Sequence, residues 1–150
     1  MTTVIFSDYD FRVKEEDGKK QIFDIARKKF VSLSPEEWVR QHILHYLVMD
    51  KKYPASLIAV ERGIELNGLQ KRFDIVVFSN SGKPVIIIEC KAPEEKLNEK
   101  VFEQIARYNL SLNVDYLWVT NGENNFFCQL KGGIKLMEEI PDYGKLRSEN

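Results

Sequence analysis

Three residues, Asp74, Glu89 and Lys91, stand where a hydrophobic hairpin ends, and their types and spacing suit metal-assisted hydrolysis. The stretch from Arg72 to Ala92 reads RFDIVVFSNSGKPVIIIECKA, two apolar strand-like runs joined by a polar turn containing Gly82. Asp74 opens the first run, while Glu89 and Lys91 close the second with only Cys90 between them. With Asn80 to Lys83 as the loop, Ser79 is expected to pair with Pro84, and the same antiparallel register sets Asp74 across from Glu89. Opposed residues lie about 4.5–5.5 Å apart at Cβ, and like charges there are destabilising. Period two puts Lys91 on the face of Glu89. A hard ion such as Mg²⁺ takes oxygen ligands and keeps several waters, so one or two carboxylates plus a substrate phosphate can hold it. A neighbouring lysine can orient the attacking water and offset charge developing on the phosphorus oxygens. A surface ion pair at a frayed hairpin end is the plain alternative. Such pairs are worth only ~0–1 kcal/mol, which rarely explains a placement that also opposes two acids. The pattern D-x(n)-E-x-K with variable n is loose on its own.

The elements that must hold these residues follow from pattern. Ser34 is a good N-cap, Pro35 suits the first helical position, and Glu37 at N3 completes a capping box. The helix is expected to run through Trp38, Val39, Ile43, Leu44 and Leu47 to about Met49 and to pack its wide apolar arc on a sheet. Ser56 to Leu66 reads as a strand with Ile58, Val60 and Ile64 on one face, turning at Asn67-Gly68 into the hairpin. Val85 to Ile88 is apolar on both faces, as in a central strand covered on both sides. After Pro93, Leu97, Val101, Ile105, Tyr108 and Leu112 recur at helical spacing, with Asn98 as a cap. Tyr116 to Thr120 and Phe126 to Leu130 read as strands around an Asn121-Gly122 turn. Before this core, Val4 to about Val31 reads as a short hairpin or arm with a turn at Glu15 to Gly18; after it, a short apolar run from Ile134 to Ile140 leads to a polar tail. The expectation is a single α/β domain over 1–150, with an arm to residue 31, a core over 32–130 and an extension over 131–150. Its mixed central β-sheet is flanked by helices on both faces.

Composition narrows the class. At 150 residues, 43% hydrophobic and 30% charged, the chain reads as an ordinary soluble globular protein. No apolar run exceeds the four residues from Val85 to Ile88, so neither signal peptide nor membrane helix is expected. Two cysteines give no disulfide framework, and cytoplasmic location is expected. The net charge of −1 argues against a strongly basic coat for nucleic acid. The clusters Arg27-Lys28-Lys29, Lys19-Lys20, Lys51-Lys52 and Lys71-Arg72 read first as solvated faces.

Asp74 with Glu89-Cys90-Lys91, on a hairpin between two helices, resembles the PD-(D/E)xK nuclease core. The order SPEEWVRQ, AVERGIEL, KRFDIVVF, IIIECKAP, FEQIARYN and LWVTNG is similar to the N-terminal nuclease domain of type I restriction enzyme R subunits, from about Ile22 to Cys128. The resemblance implies a restriction-endonuclease-like fold and a Mg²⁺-dependent (Mn²⁺-tolerant) nuclease acting on DNA, with RNA left open. It implies that Asp74, Glu89 and the Cys90 carbonyl bind the metal and that Lys91 serves the hydrolytic water. Gln104 and Tyr108 match its Q-x-x-x-Y element, which sets the lysine and contacts nucleic acid; read as residues alone, Gln104 is solvated and Tyr108 is core. An acid from the first helix would complete the site. Glu36 lies closer to the apolar arc and Glu37 already serves the cap, while the family wording favours Glu37 as a metal ligand; Glu61 is a weaker third acid. Arg40 is expected to pair with Glu36 four residues earlier or to contact phosphate, and Arg72 to contact nucleic acid. Phe73 stands where the family name has proline. The chain carries no G-x-x-x-x-G-K-[ST] loop, so a helicase or restriction-modification subunit is expected as a separate partner. The rival expectation is a catalytically weak or inactive nuclease-fold module that holds nucleic acid or a protein partner. His42 and His45 lack zinc spacing, Cys90 and Cys128 read as inert core thiols, and Trp118, Phe126 and Phe127 read as core before base stacking.

Overall fold

The computed structural model describes residues 8–66 and 68–149. In chain order they form β1 (Val13–Glu16), β2 (Lys19–Asp24), β3 (Lys29–Ser32), α1 (Pro35–His45), β4 (Ile58–Leu66), β5 (Leu69–Phe78), β6 (Pro84–Cys90), α2 (Glu99–Asn109), β7 (Tyr116–Thr120), β8 (Asn125–Gln129), β9 (Lys135–Met137) and α3 (Tyr143–Glu149). Strands β4 to β9 lie side by side in one six-stranded sheet in that order, and β1 to β3 form a separate antiparallel sheet. Only β6 and β7 run parallel within the large sheet. A parallel pair needs a crossover, and α2 supplies it.

Strand β6 explains the layering. Ile86 and Ile88 pack with Ile43, Leu44 and Leu47 of the α1 segment, while Ile87 packs with Phe102 and Ala106 of α2 on the other face. The fold is therefore α/β with a mixed sheet between helices, as the sequence led us to expect. Asn98 caps α2 by accepting the Val101 N–H at 2.9 Å, and Phe102 stacks on Phe126 with ring centroids 5.1 Å apart. Trp118, Phe126 and Phe127 are all core.

Several expectations are corrected. Ile58 and Val60 join the α1-side core, but Ile64 joins the α2-side core, so they do not share a face. The same switch separates Ile75 and Val77 from Phe73 on β5. The pleat breaks between them, where Glu61 has a φ of 51° and the Glu61 and Asp74 pair is missing from an otherwise continuous register. At the hairpin, Pro84 pairs with Phe78 rather than Ser79, because Val85 is bulged out of the ladder. The N-terminal region is a three-stranded sheet whose Ile22 and Asp24 are fully buried. Helix α1 ends at His45 and is continued by one wider, π-type turn, Tyr46–Asp50. The tail is a strand and a helix, with Ile140 and Leu146 buried in the α1-side core. The start of the arm at Val4 and Asn67 of the turn lie outside the described residues. Among the described residues no helix is long and apolar enough to cross a membrane.

Because Phe102 anchors the helix that carries Gln104 and Tyr108, Phe102→Ala should lower stability by about 3–5 kcal/mol. A reduced urea midpoint at unchanged slope is the expected readout.

Candidate active site

Asp74 sits at the break in the pleat, and its carboxylate does the work of a missing strand bond. The backbone ladder between β5 and β6 stops at Ile75 opposite Ile88, a register that carries Asp74 toward Glu89. Beyond it, the Cys90 N–H donates to Asp74 Oδ2 at 2.8 Å. Arg40 Nη2 donates to Asp74 Oδ1 at 3.2 Å from α1. Burial and the Asp74 charge push the Cys90 thiol well up, so it stays a neutral core thiol.

Glu89 has its own cations. Lys71 Nζ donates to Oε1 at 3.3 Å, and Lys91 Nζ lies 3.8 Å from Oε2. Lys71 also donates to Asn109 Oδ1 at 2.7 Å and lies 4.3 Å from the centre of the Tyr108 ring. Asn109 is fully buried and donates to the Ile105 carbonyl at 2.9 Å, so Lys71 ties β5 to both β6 and α2. Asp74 and Glu89 line one open cleft of about 350 Å³ with Glu61, Lys71, Arg72 and Phe73.

Behind the cleft lies a chain of charges. Arg40, only 6% exposed, donates through Nη1 to Glu37 Oε1 at 3.2 Å and to Glu61 Oε1 at 3.4 Å. Arg27 donates to the same Glu37 oxygen at 2.8 Å and to Asp24 Oδ2 at 2.7 Å, and its Nη1 is 3.8 Å from Glu61. Burial alone would lower the Arg40 pKa, but the Glu37 and Asp74 carboxylates hold it above the ordinary value. Burial would raise Asp24; hydrogen bonds from the Arg27 backbone and side chain and from Gln41 more than reverse that, leaving it below the usual carboxylate range.

Two expectations about α1 change here. Glu36 is exposed, and Arg40 pairs with Glu37, Glu61 and Asp74 instead of with Glu36. Ser34 accepts the Glu37 N–H at 3.0 Å, yet the Glu37 carboxylate turns to Arg27, Arg40 and Gln41, so the capping box is only half formed. The Arg40 guanidinium stands between Glu37 and Asp74. Among the described residues no group of three His, Cys, Asp or Glu side chains is arranged to hold a metal ion. Arg72 is exposed apart from a 3.5 Å pair with Glu61. Gln104 is exposed, as its residue type suggested, but Tyr108 is 71% exposed rather than core.

Sequence reading missed Lys71, Asn109, Asp24 and Arg27 as parts of this constellation. Asn109 did carry a signal, since it follows Phe102 and Ala106 on the buried stripe of α2, where a polar residue needs a partner. Asp24 likewise alternates with Ile22 on the inner face of β2. Lys71 had none, because the broken pleat that turns it toward Glu89 is not visible in the pattern.

A six-stranded mixed sheet between helices, with acids and a lysine gathered where the β5–β6 ladder ends, makes this a mixed α/β protein with a candidate hydrolytic site. The chain belongs to the family of type I restriction enzyme R protein N termini, whose model matches residues 35–142. Its function is accordingly nuclease-related. Among solved structures it is similar to a candidate nuclease of the DUF820 group from Anabaena variabilis, at 13% identity and a TM-score of 0.48 over 92% of this chain and 84% of that one. No curated protein matches the chain.

Removing Arg40 leaves buried carboxylate charge uncompensated, so Arg40→Met should cost about 3–5 kcal/mol. Arg72→Met, at an exposed pair, should change stability by less than about 1 kcal/mol in the same denaturation experiment. The acid side has a defined sign. Asp24 is depressed in the folded state, so its contribution is complete above the unfolded value of about 3.9 and is lost as pH falls through the folded value. Asp24→Asn should therefore lose less stability than wild type between pH 7 and pH 3, read from urea midpoints.

Proposed function

We propose that the protein is a Mg²⁺-dependent nuclease that hydrolyses DNA phosphodiester bonds at the cleft between Asp74 and Glu89. The observation that carries this reading is the pair of carboxylates lining one cleft where the β5–β6 ladder ends, with Lys91 two residues beyond Glu89. The donors suit a loosely held hard cation: two carboxylates and the Cys90 carbonyl offer only oxygen, and the cleft leaves room for waters and a phosphate. Mg²⁺ held by Asp74 and Glu89 would lower the pKa of a bound water and polarise a phosphoryl oxygen. Glu37 lies behind Arg40 and supports the site through that arginine.

The chain's own residues supply orientation and charge. Lys91 orients the attacking water and offsets charge on the phosphate oxygens as it develops. Lys71 holds Glu89 against rotation and carries a second positive charge to the cleft. Arg72, exposed on the rim, steadies a backbone phosphate, while the exposed Tyr108 borders the same site through its Lys71 contact, and Gln104, one turn earlier on α2, reaches toward nucleic acid. A helicase or other restriction-modification subunit is the partner the family suggests.

A second reading has one observation in its favour. Arg40 already supplies a cation to Asp74, as it would in a module that binds nucleic acid without cutting it. Cleavage assays separate the two. Purified protein should nick supercoiled DNA in Mg²⁺ or Mn²⁺ and not in EDTA, and Glu89→Ala and Lys91→Ala should each lower the rate at least 100-fold. Lys71→Met should lower it less, and Lys71→Arg should restore part of the loss. Undiminished cleavage by Glu89→Ala and Lys91→Ala refutes the assignment; salt-sensitive binding without cleavage in any divalent metal selects the second reading.

A further inference from the structure

The sheet formed by β1, β2 and β3 lies outside the residues that match the family, and its two faces differ in kind. Its inner face buries Ile22 and Asp24, and Arg27 in the following turn reaches Glu37 and Glu61 at the back of the cleft. By strand alternation the outer face carries Arg12, Lys14 and Lys19 around Phe23 and Phe30. Two of these cations sit over the rings: Arg12 lies 4.5 Å from the Phe23 centroid and 5.5 Å from that of Phe30, and Lys14 lies 4.3 Å from Phe30. Arg12, Lys14 and Lys19 are all exposed, and the acid on that face, Glu16, is 3.6 Å from Lys14. Lys28, exposed in the turn at the end nearest the cleft, continues the positive charge.

We propose that this outer face is a docking strip for the DNA phosphate backbone, leading away from the Asp74 and Glu89 cleft past the turn at Lys28. Its length fits. From Asp24 back to Lys19 the strand runs roughly 17 Å at ~3.4 Å per residue, a length over which one strand of B-DNA presents about five phosphates. Contact with Phe23 and Phe30 holds Arg12 and Lys14 in place, so these two lose little side-chain freedom when a phosphate arrives. Only the destination of the strip rests on the nuclease reading; the binding does not.

The test is binding of a fluorescent 30-base-pair duplex in EDTA, where no cleavage occurs, as a function of salt. The variant Arg12→Gln/Lys14→Gln/Lys19→Gln should bind at least tenfold more weakly at about 100 mM salt. Its plot of log affinity against log salt should be shallower by two or more, given about 0.9 per phosphate contact. The variant Lys19→Gln/Lys28→Gln touches neither ring, so it guards against loss of folding, and its slope should fall by about 1–2. The charge-preserving Arg12→Lys/Lys14→Arg/Lys19→Arg should keep the wild-type slope. If wild type does not bind the duplex, or both neutralised variants keep its affinity and slope, the strip is overturned whatever the cleavage assay reports. If binding behaves as expected and no DNA is cut, the strip stands and the nuclease reading alone fails.

Discussion

The buried guanidinium of Arg40 is the contact on which the arrangement of the site depends. It spans Glu37, Glu61 and Asp74, which come from α1, β4 and β5, and Arg27 repeats the pattern one layer out with Asp24, Glu37 and Glu61. A carboxylate taken out of water without a partner is strongly disfavoured, and two side by side are worse. Acids can gather at this sheet end only because arginines, which stay charged when buried, are threaded between them. The network also ties the N-terminal sheet to the cleft, since Asp24 and Arg27 belong to the former and Glu61 lines the latter.

The second determinant is backbone rather than charge. Glu61 adopts a left-handed conformation within β4, which for a residue other than glycine costs on the order of 1–3 kcal/mol. The cost is compensated by Arg27, Arg40 and Arg72, all of which reach the Glu61 carboxylate. The break it introduces is matched on β5 at Asp74, so that Phe73 and Lys71 face α2 while Ile75 faces α1. An unbroken pleat would send Asp74 squarely to one face. Here it lies between them, accepting Arg40 from one side and the Cys90 backbone from the neighbouring strand.

Much of this was legible in the residues, and the part that was not has a common cause. The order of core elements, the capping of α1 and α2, the two-faced apolar run of β6 and the convergence of Asp74 on Glu89 all follow from local chemistry and period. What local pattern could not carry was any feature produced by the broken pleat: the divergence of Val60 from Ile64, the turning of Lys71 toward Glu89, and the access of Arg40 to Asp74. Spacing of four suggested Arg40 with Glu36, but the buried Glu37 together with Asp74 and Glu61 competes better for a buried guanidinium than one exposed acid does. Tyr108 was placed in the core by its spacing with Leu97 and Val101. The stripe that is buried passes instead through Phe102, Ala106 and Asn109, one position to the side.

Net charge is a poor guide to what this surface can bind. The value of −1 counts Asp24, Glu37, Asp74 and Glu89 as though they faced solvent, yet each is largely withdrawn from it and committed to an arginine or lysine contact. Screening in water and local pairing weaken the field of such acids, whereas Arg12, Lys14, Lys19 and Lys28 stand on the surface. The charge that an approaching polyanion meets is set by these exposed groups and by their distance from the cleft, so a near-neutral chain can still offer a phosphate backbone a positive path along one face.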